Sequence, residues 1–154
     1  MEFKIPKPLK EEHVELHAEL VKATQVKGKI GEAAKAVAQV LHPHFVKEEE
    51  YALPPLCLLR PLAEGKATPE MAGVFRMTDT LKSVLPQLLK EHQAIMDALK
   101  AMAETAEKEK KPEYARFAEK LMLHARTEEE VLYPATILIG EYLKKKLNPS
   151  SSLW

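Results

Sequence analysis

The chain has 154 residues, enough for one domain around a single core, since a chain of roughly 150 residues buries about 70% of its unfolded surface. Lys plus Arg and Asp plus Glu are both 23, so the formal net charge is zero and no long basic stripe points to nucleic acid or an anionic membrane. The single cysteine, Cys57, excludes an internal disulfide, no run of about 18 apolar residues offers a bilayer span, and the opening MEFKIPKPLK lacks the apolar stretch of a signal peptide, so a cytoplasmic location is expected.

Five glycines and 30% charged residues, mostly Lys and Glu, favour helices over strands. Segments with apolar residues at steps of four and three, the spacing of one helical stripe, recur along the chain. The first carries Leu9, His13, Leu16 and Leu20. Lys27-Gly28-Lys29 reads as the turn into a second stripe of Ile30, Ala34, Val37, Leu41, His44, Glu48 and Tyr51. A longer connection follows around Pro54 to Pro69. There Thr68-Pro69-Glu70 has the form of an N-cap with proline at the first helical position, so a helix starting there either continues into the third segment or kinks before it. The third stripe is Leu81, Leu85, Leu88, His92, Ile95, Leu99 and Met102. Charged residues from Glu107 to Pro112 turn the chain into a fourth, with Tyr114, Phe117, Leu121, His124, Glu128, Val131, Ala135 and Leu138. Pro43 and Pro86 fall within these helices, where each removes a backbone donor and is expected to kink the chain. Residues 1–147 are expected to form the domain and 148–154 a flexible tail, with Trp154 as a docking group if the tail folds back.

Two stretches of the sequence match. HFVKEEEYALP starts at His44 and HARTEEEVLYP at His124, each with a histidine, three residues, three glutamates, three residues and a proline. Glu12-His13 and Glu91-His92 stand in the same relation on the preceding segments, so a two-helix unit occurs twice. Two such hairpins face to face give an all-α, antiparallel up-down four-helix bundle with pseudo-symmetry, with an extra helical segment or long connection between helices 2 and 3.

Each stripe carries a histidine, and in the second and fourth a glutamate follows one turn later, on the same face. These groups replace Leu or Ala at inner positions, where even a neutral polar group without a partner costs roughly 1 to 3 kcal/mol. A pair of metal ions supplies a common partner, because imidazole suits iron, zinc, copper and nickel and a carboxylate can bridge two cations. A lone zinc ion closes with about four ligands, whereas this set offers more. Two imidazoles per ion, an oxygen from each of two carboxylates and a shared oxo or hydroxo group leave one octahedral position open on each ion. That count favours iron with a small bound ligand.

At these residues the chain resembles the hemerythrin-like, or HHE cation-binding, family of four-helix bundles that hold a non-haem di-iron centre. The resemblance runs from about Leu9 to Leu143 and rests on the doubled His-x-x-x-Glu-Glu followed by proline; the ferritin-like Glu-x-x-His pattern is not repeated. It implies His13, His44, His92 and His124 as terminal ligands and Glu48 and Glu128 as bridges, holding two iron ions with zinc or nickel as substitutes. The oxygen-carrying hemerythrins place two histidines one turn apart on the third helix and use an aspartate bridge. Here His92 is followed one turn later by Met96, which moves the resemblance toward relatives linked to repair of iron-sulfur centres and to iron or oxygen sensing. His17, one turn after His13, is a candidate fifth histidine ligand from another helix. The expected function is binding or sensing of O2, NO or peroxide, or iron handling, with that small molecule as partner and homodimerisation left open. The alternatives are a structural zinc or nickel site in an interaction module without turnover, and a di-iron oxidase.

The neighbours receive plainer readings. His42 faces away from His44 by roughly 200° and is placed at the surface. Glu49, Glu50, Glu129 and Glu130 read as a solvated face, with Glu129 a minor rival to Glu128 as bridge. Glu12 and Glu91 point about 100° from the histidines that follow them, which favours surface charges over support of a ligand. Tyr51 and Tyr133 default to core packing, although each stands near a His-Glu pair. Met96, Met102, Met122 and Cys57 read as core filling.

Overall fold

A computed structural model describes residues 1–148, so of the expected tail only Asn148 can be placed, and Trp154 lies outside the described residues. The helices are α1 (Lys7–Thr24), α2 (Lys29–Lys47), α3 (Leu59–Ala63), α4 (Phe75–Lys108), α5 (Pro112–Thr127) and α6 (Tyr133–Leu147). Single π turns, Glu48–Ala52 and Glu128–Leu132, follow α2 and α5, and the second joins α5 directly to α6. Four helical columns result, in the expected bundle: α1 packs on α2, α2 on α4, α4 on α5, and α5 returns to α1. Among the described residues there is no strand.

The turns form where the sequence places them. Gly28 takes φ 93° ahead of α2, a conformation that suits glycine, and Lys110 takes φ 58° between α4 and α5. In the long connection, 3-10 turns at Pro54–Leu58 and Pro69–Val74 flank the short α3. Thr68 has the extended backbone of an N-cap (φ −121°, ψ 154°), yet its side chain makes no capping hydrogen bond, and the turn it begins runs straight into α4. Pro43 and Pro86 lie inside α2 and α4, which continue through both.

The second and fourth stripes keep their expected inward face as far as their π turns and then slip. In the fourth, Phe117, Leu121, His124 and Glu128 are buried, but Val131 and Leu138 are 56% and 65% exposed. Tyr133, Thr136, Ile139 and Leu143 face inward instead. The cause is one hydrogen bond: the Tyr133 amide donates to the Glu128 carbonyl five residues back, inserting an extra residue and rotating everything after it by about 100°. Leu53 bonds to the Glu48 carbonyl in the same way at 2.9 Å, so Ala52 and Leu53 are fully buried while Tyr51 is only partly so. The buried Thr136 hydroxyl donates to the Ala52 carbonyl at 2.6 Å, tying the second column to the fourth, and α6 approaches α4 so closely that a Cβ on Gly140 would sit 2.2 Å from Thr78 Oγ1. The polar layer thus lies between two apolar clusters, one around Leu20, Leu41, Leu99 and Leu121 and one of Ala52, Leu81, Leu88 and Tyr133.

Candidate metal centre

The bundle brings His13, His44, Glu48, His92, His124 and Glu128 into its interior, none more than 7% exposed. Their ligating atoms fall into two groups, each within 4.8 Å: His44, Glu48, His92 and Glu128 in one, His13, His124 and Glu128 in the other. Each group joins a histidine from one hairpin to a histidine from the other, so neither hairpin holds a complete site alone. Glu128 belongs to both groups. Its Oε1 is 3.5 Å from His92 Nε2, while its Oε2 is 3.3 Å from His124 Nε2 and 3.7 Å from His13 Nε2. Glu48 stands in the first group only, with its Oε1 3.6 Å from His44 Nε2. His17 is exposed and belongs to neither group; its ring centroid is 6.1 Å from that of His42, also exposed.

The outer ring nitrogens fix the tautomers. His44 Nδ1 donates to Glu91 at 3.1 Å, His92 Nδ1 to Glu129 at 2.9 Å, and His124 Nδ1 to Glu12. A neutral imidazole that donates from Nδ1 presents a bare lone pair at Nε2. His44 Nε2 and His92 Nε2 nevertheless face each other at 2.7 Å, so two lone pairs converge where only a cation or a proton relieves them. The rings stay neutral, since burial lowers all four histidines, His13 to about 3 and His44 to about 4. Nearby, Tyr133 Oη has one proton to donate; it lies 2.9 Å from Glu48 Oε2, 3.0 Å from His44 Nε2 and 3.2 Å from His92 Nε2. Burial pushes Glu48 up to about 8, so in the metal-free chain a proton on this carboxyl relieves part of the acceptor excess. Burial also pushes the Tyr133 phenol up, and it remains protonated.

Other buried polar atoms of the two groups have no partner. Both nitrogens of His13, Glu48 Oε1, His124 Nε2 and Glu128 Oε2 are buried without a hydrogen-bond partner. Orphans of this kind cost about 1 to 3 kcal/mol each, and here all belong to the two donor groups. A donor set of imidazole nitrogens and carboxylate oxygens, shielded from water and short of protons, fits divalent cations.

Several of these residues differ from their sequence readings. Glu12, Glu91 and Glu129 are not simply surface charges. The 100° step that turns Glu12 and Glu91 away from the adjacent histidine aims each at a histidine on the neighbouring helix, where it holds the Nδ1 proton. The Glu-His pairing repeated in both hairpins was the available signal. Tyr133 is more than core packing, because the π turn swings its hydroxyl into the first group. Tyr51 stays with the apolar cluster that expectation assigned it.

A sequence model of the hemerythrin HHE cation-binding domain matches residues 5–136, which takes in the whole donor set. No curated protein and no solved structure matches the chain. With the fold, the doubled motif and the buried His/Glu groups in agreement, the chain belongs to the hemerythrin HHE cation-binding domain family.

Proposed function

We propose that the protein holds two iron ions, one at each donor group with Glu128 between them, and that it binds a small diatomic molecule or peroxide there. The observation that carries this reading is the shared carboxylate: Glu128 turns one oxygen to each group, the placement a bridging ligand needs. Four imidazoles and two carboxylates exceed what one tetrahedral zinc ion uses. A di-iron pair supplies a redox-capable Lewis-acid position at which such a ligand binds.

The chain's own residues do the rest. Glu12, Glu91 and Glu129 orient three imidazoles and raise their basicity toward a cation by holding the Nδ1 protons. Tyr133 Oη orients Glu48 and keeps a proton available beside the His44–His92 group for a bound ligand. The apolar clusters above and below exclude water. A cytoplasmic location and the absence of nucleic-acid and membrane partners go with this reading, in keeping with the balanced charge.

Metal analysis of protein purified without an affinity tag, with visible spectra before and after exposure to air, tests it. Two irons per chain and charge-transfer absorption between about 320 and 500 nm are expected. Colourless protein with stoichiometric zinc would overturn the reading in favour of a structural ion.

A further inference from the structure

The supporting hydrogen bonds follow the internal repeat, with one exception. His44–Glu91 and His124–Glu12 are equivalent pairs, each joining a motif histidine to the glutamate that precedes the lone histidine of the other hairpin. The equivalent of His92–Glu129 would be His13–Glu49, and the structure does not make it. Glu49 turns both carboxylate oxygens to the Lys10 ammonium, with Oε2 at 2.9 Å, and the buried His13 is left without a partner on either nitrogen. Three imidazoles are latched and the fourth is not.

The unlatched corner also borders a cavity. A cavity of about 240 Å³ opens there to the surface, with His13, His17, His42 and Glu49 as its polar lining and Phe45 stacked on the His13 ring at 4.2 Å. The repeat shows that this lining is particular to one half: the positions matching His17 and His42 are Met96 and Met122, and the position matching Phe45 is Ala125. With metal–nitrogen bonds of about 2.1 Å, two imidazoles on one ion hold their ring centroids roughly 5 to 6 Å apart. The exposed rings of His17 and His42 stand at 6.1 Å, within a small rotamer adjustment of that span.

We propose that this corner is the entry port of the centre. A divalent cation of the ferrous, cobaltous or zinc class is captured by His17 and His42, draws Glu49 from Lys10, and passes to His13. Glu49 is then free to accept the His13 Nδ1 proton and complete the fourth latch. The proposal rests on the metal reading above and adds a route to it.

The test follows uptake of cobalt(II) by the metal-free full chain in a stopped-flow spectrometer, using the visible absorption of the bound ion. The His17→Ala/His42→Ala double variant should reach the wild-type cobalt stoichiometry about tenfold or more slowly, the scale at which residues outside the ligand set act on metal sites. Its melting temperature without metal should match wild type. As a direct readout, cobalt(II) added to wild-type protein already filled with zinc should broaden the His17 and His42 imidazole NMR signals ahead of those of the four buried histidines. A wild-type chain that takes up no cobalt overturns the metal reading and the port together. Wild-type protein that fills while the double variant fills equally fast, or broadening that spares His17 and His42, overturns the port alone.

Discussion

The two donor groups share Glu128 and little else. Around His44 and His92 the imidazoles are latched by Glu91 and Glu129, and a buried phenol fills the space beside Glu48. Around His13 and His124 only His124 is latched, His13 stacks on Phe45, and a surface cavity reaches the site. The position matching Tyr133 in the other hairpin is Leu53, which packs with Leu56, Leu58 and Ile139 in an apolar cluster. A repeated scaffold has therefore kept the donors of both hairpins while differentiating their surroundings, giving one half of the centre, the His44–His92 group, fixed geometry and the other, the His13–His124 group, access.

The two groups meet at Glu128, where a substitution has its largest effect. Glu128→Ala should empty both groups, lowering iron content by about tenfold or more, whereas Glu130→Ala, altering an exposed side chain two residues further along the motif, should leave it unchanged. Metal analysis of the two variants decides it, and equal iron in both would remove Glu128 from the ligand set. Chelation should have the next largest effect. An ion bound only by the native state at about a hundred times its Kd stabilises it by roughly 2.7 kcal/mol, so its removal should lower the melting temperature by about 5 to 10 °C. An unchanged melt, with metal loss confirmed, would mean that the metal-free core already satisfies these groups.

Glu12→Gln keeps the side chain's size but weakens its hold on the His124 Nδ1 proton, and should reduce metal affinity about 10- to 100-fold at the more open group. Glu91→Gln should do the same at the latched group through His44. Competition with a coloured chelator measures both. If only one variant weakens binding, the two halves differ in ligand support as well as in access.

What the sequence disclosed depended on whether the signal survived the π turns. The helical columns and the six interior polar residues were legible because an uninterrupted stripe has one solution. Beyond Glu48 and Glu128 the stripe misled: Val131 and Leu138 fit the period yet face solvent, and Tyr133 breaks the period yet is completely buried. The trace of this slip was the repeated proline, Pro54 and Pro134, whose missing amide leaves the carbonyls of Glu50 and Glu130 without an α-helical donor in a region that had read as regular helix. The glutamate supports were hidden for another reason. A side chain that turns away from its own helix's site is judged by the neighbouring helix, and a single sequence gives no direct account of that neighbour.

Metal-free protein exposes a subtler difference between the halves. His13 and His44, depressed by burial to about 3 and 4, stay neutral in the fold, whereas in the unfolded chain they protonate below about 6.5. Their stabilising contribution is present above that value and lost as pH falls toward the depressed values. Glu48 has the opposite sign: raised from 4.5 to about 8, it contributes fully below 4.5 and its contribution is lost as pH rises through 8. Stability of the metal-free chain, read as the urea midpoint, should therefore peak near pH 6.5 and fall on both sides. Glu48→Gln should abolish the alkaline fall and keep the acid one. Ions bound to the ionised carboxylate should abolish it too, and their binding near pH 7 should release a proton, seen as buffer-dependent heat in calorimetry.

The smallest expected effect isolates the phenol that distinguishes one half from the other. Tyr133→Phe preserves the ring and its packing against Ala52, Leu81 and Leu88 while removing the donor to Glu48 Oε2. In metal-free protein the loss should be about 1 kcal/mol, the net value of one hydrogen bond, because the carboxyl can still hold its own proton. In the iron-loaded chain the same change should alter the visible spectrum produced by a bound small ligand such as azide or nitric oxide, since the phenol hydrogen-bonded to the His44–His92 group is gone. Substituting Leu53 by Phe offers the matching control, an apolar change at the equivalent position of the other hairpin. If that substitution shifts the ligand spectrum as much as Tyr133→Phe does, the phenol acts through packing and the contrast between the two halves loses its chemical basis.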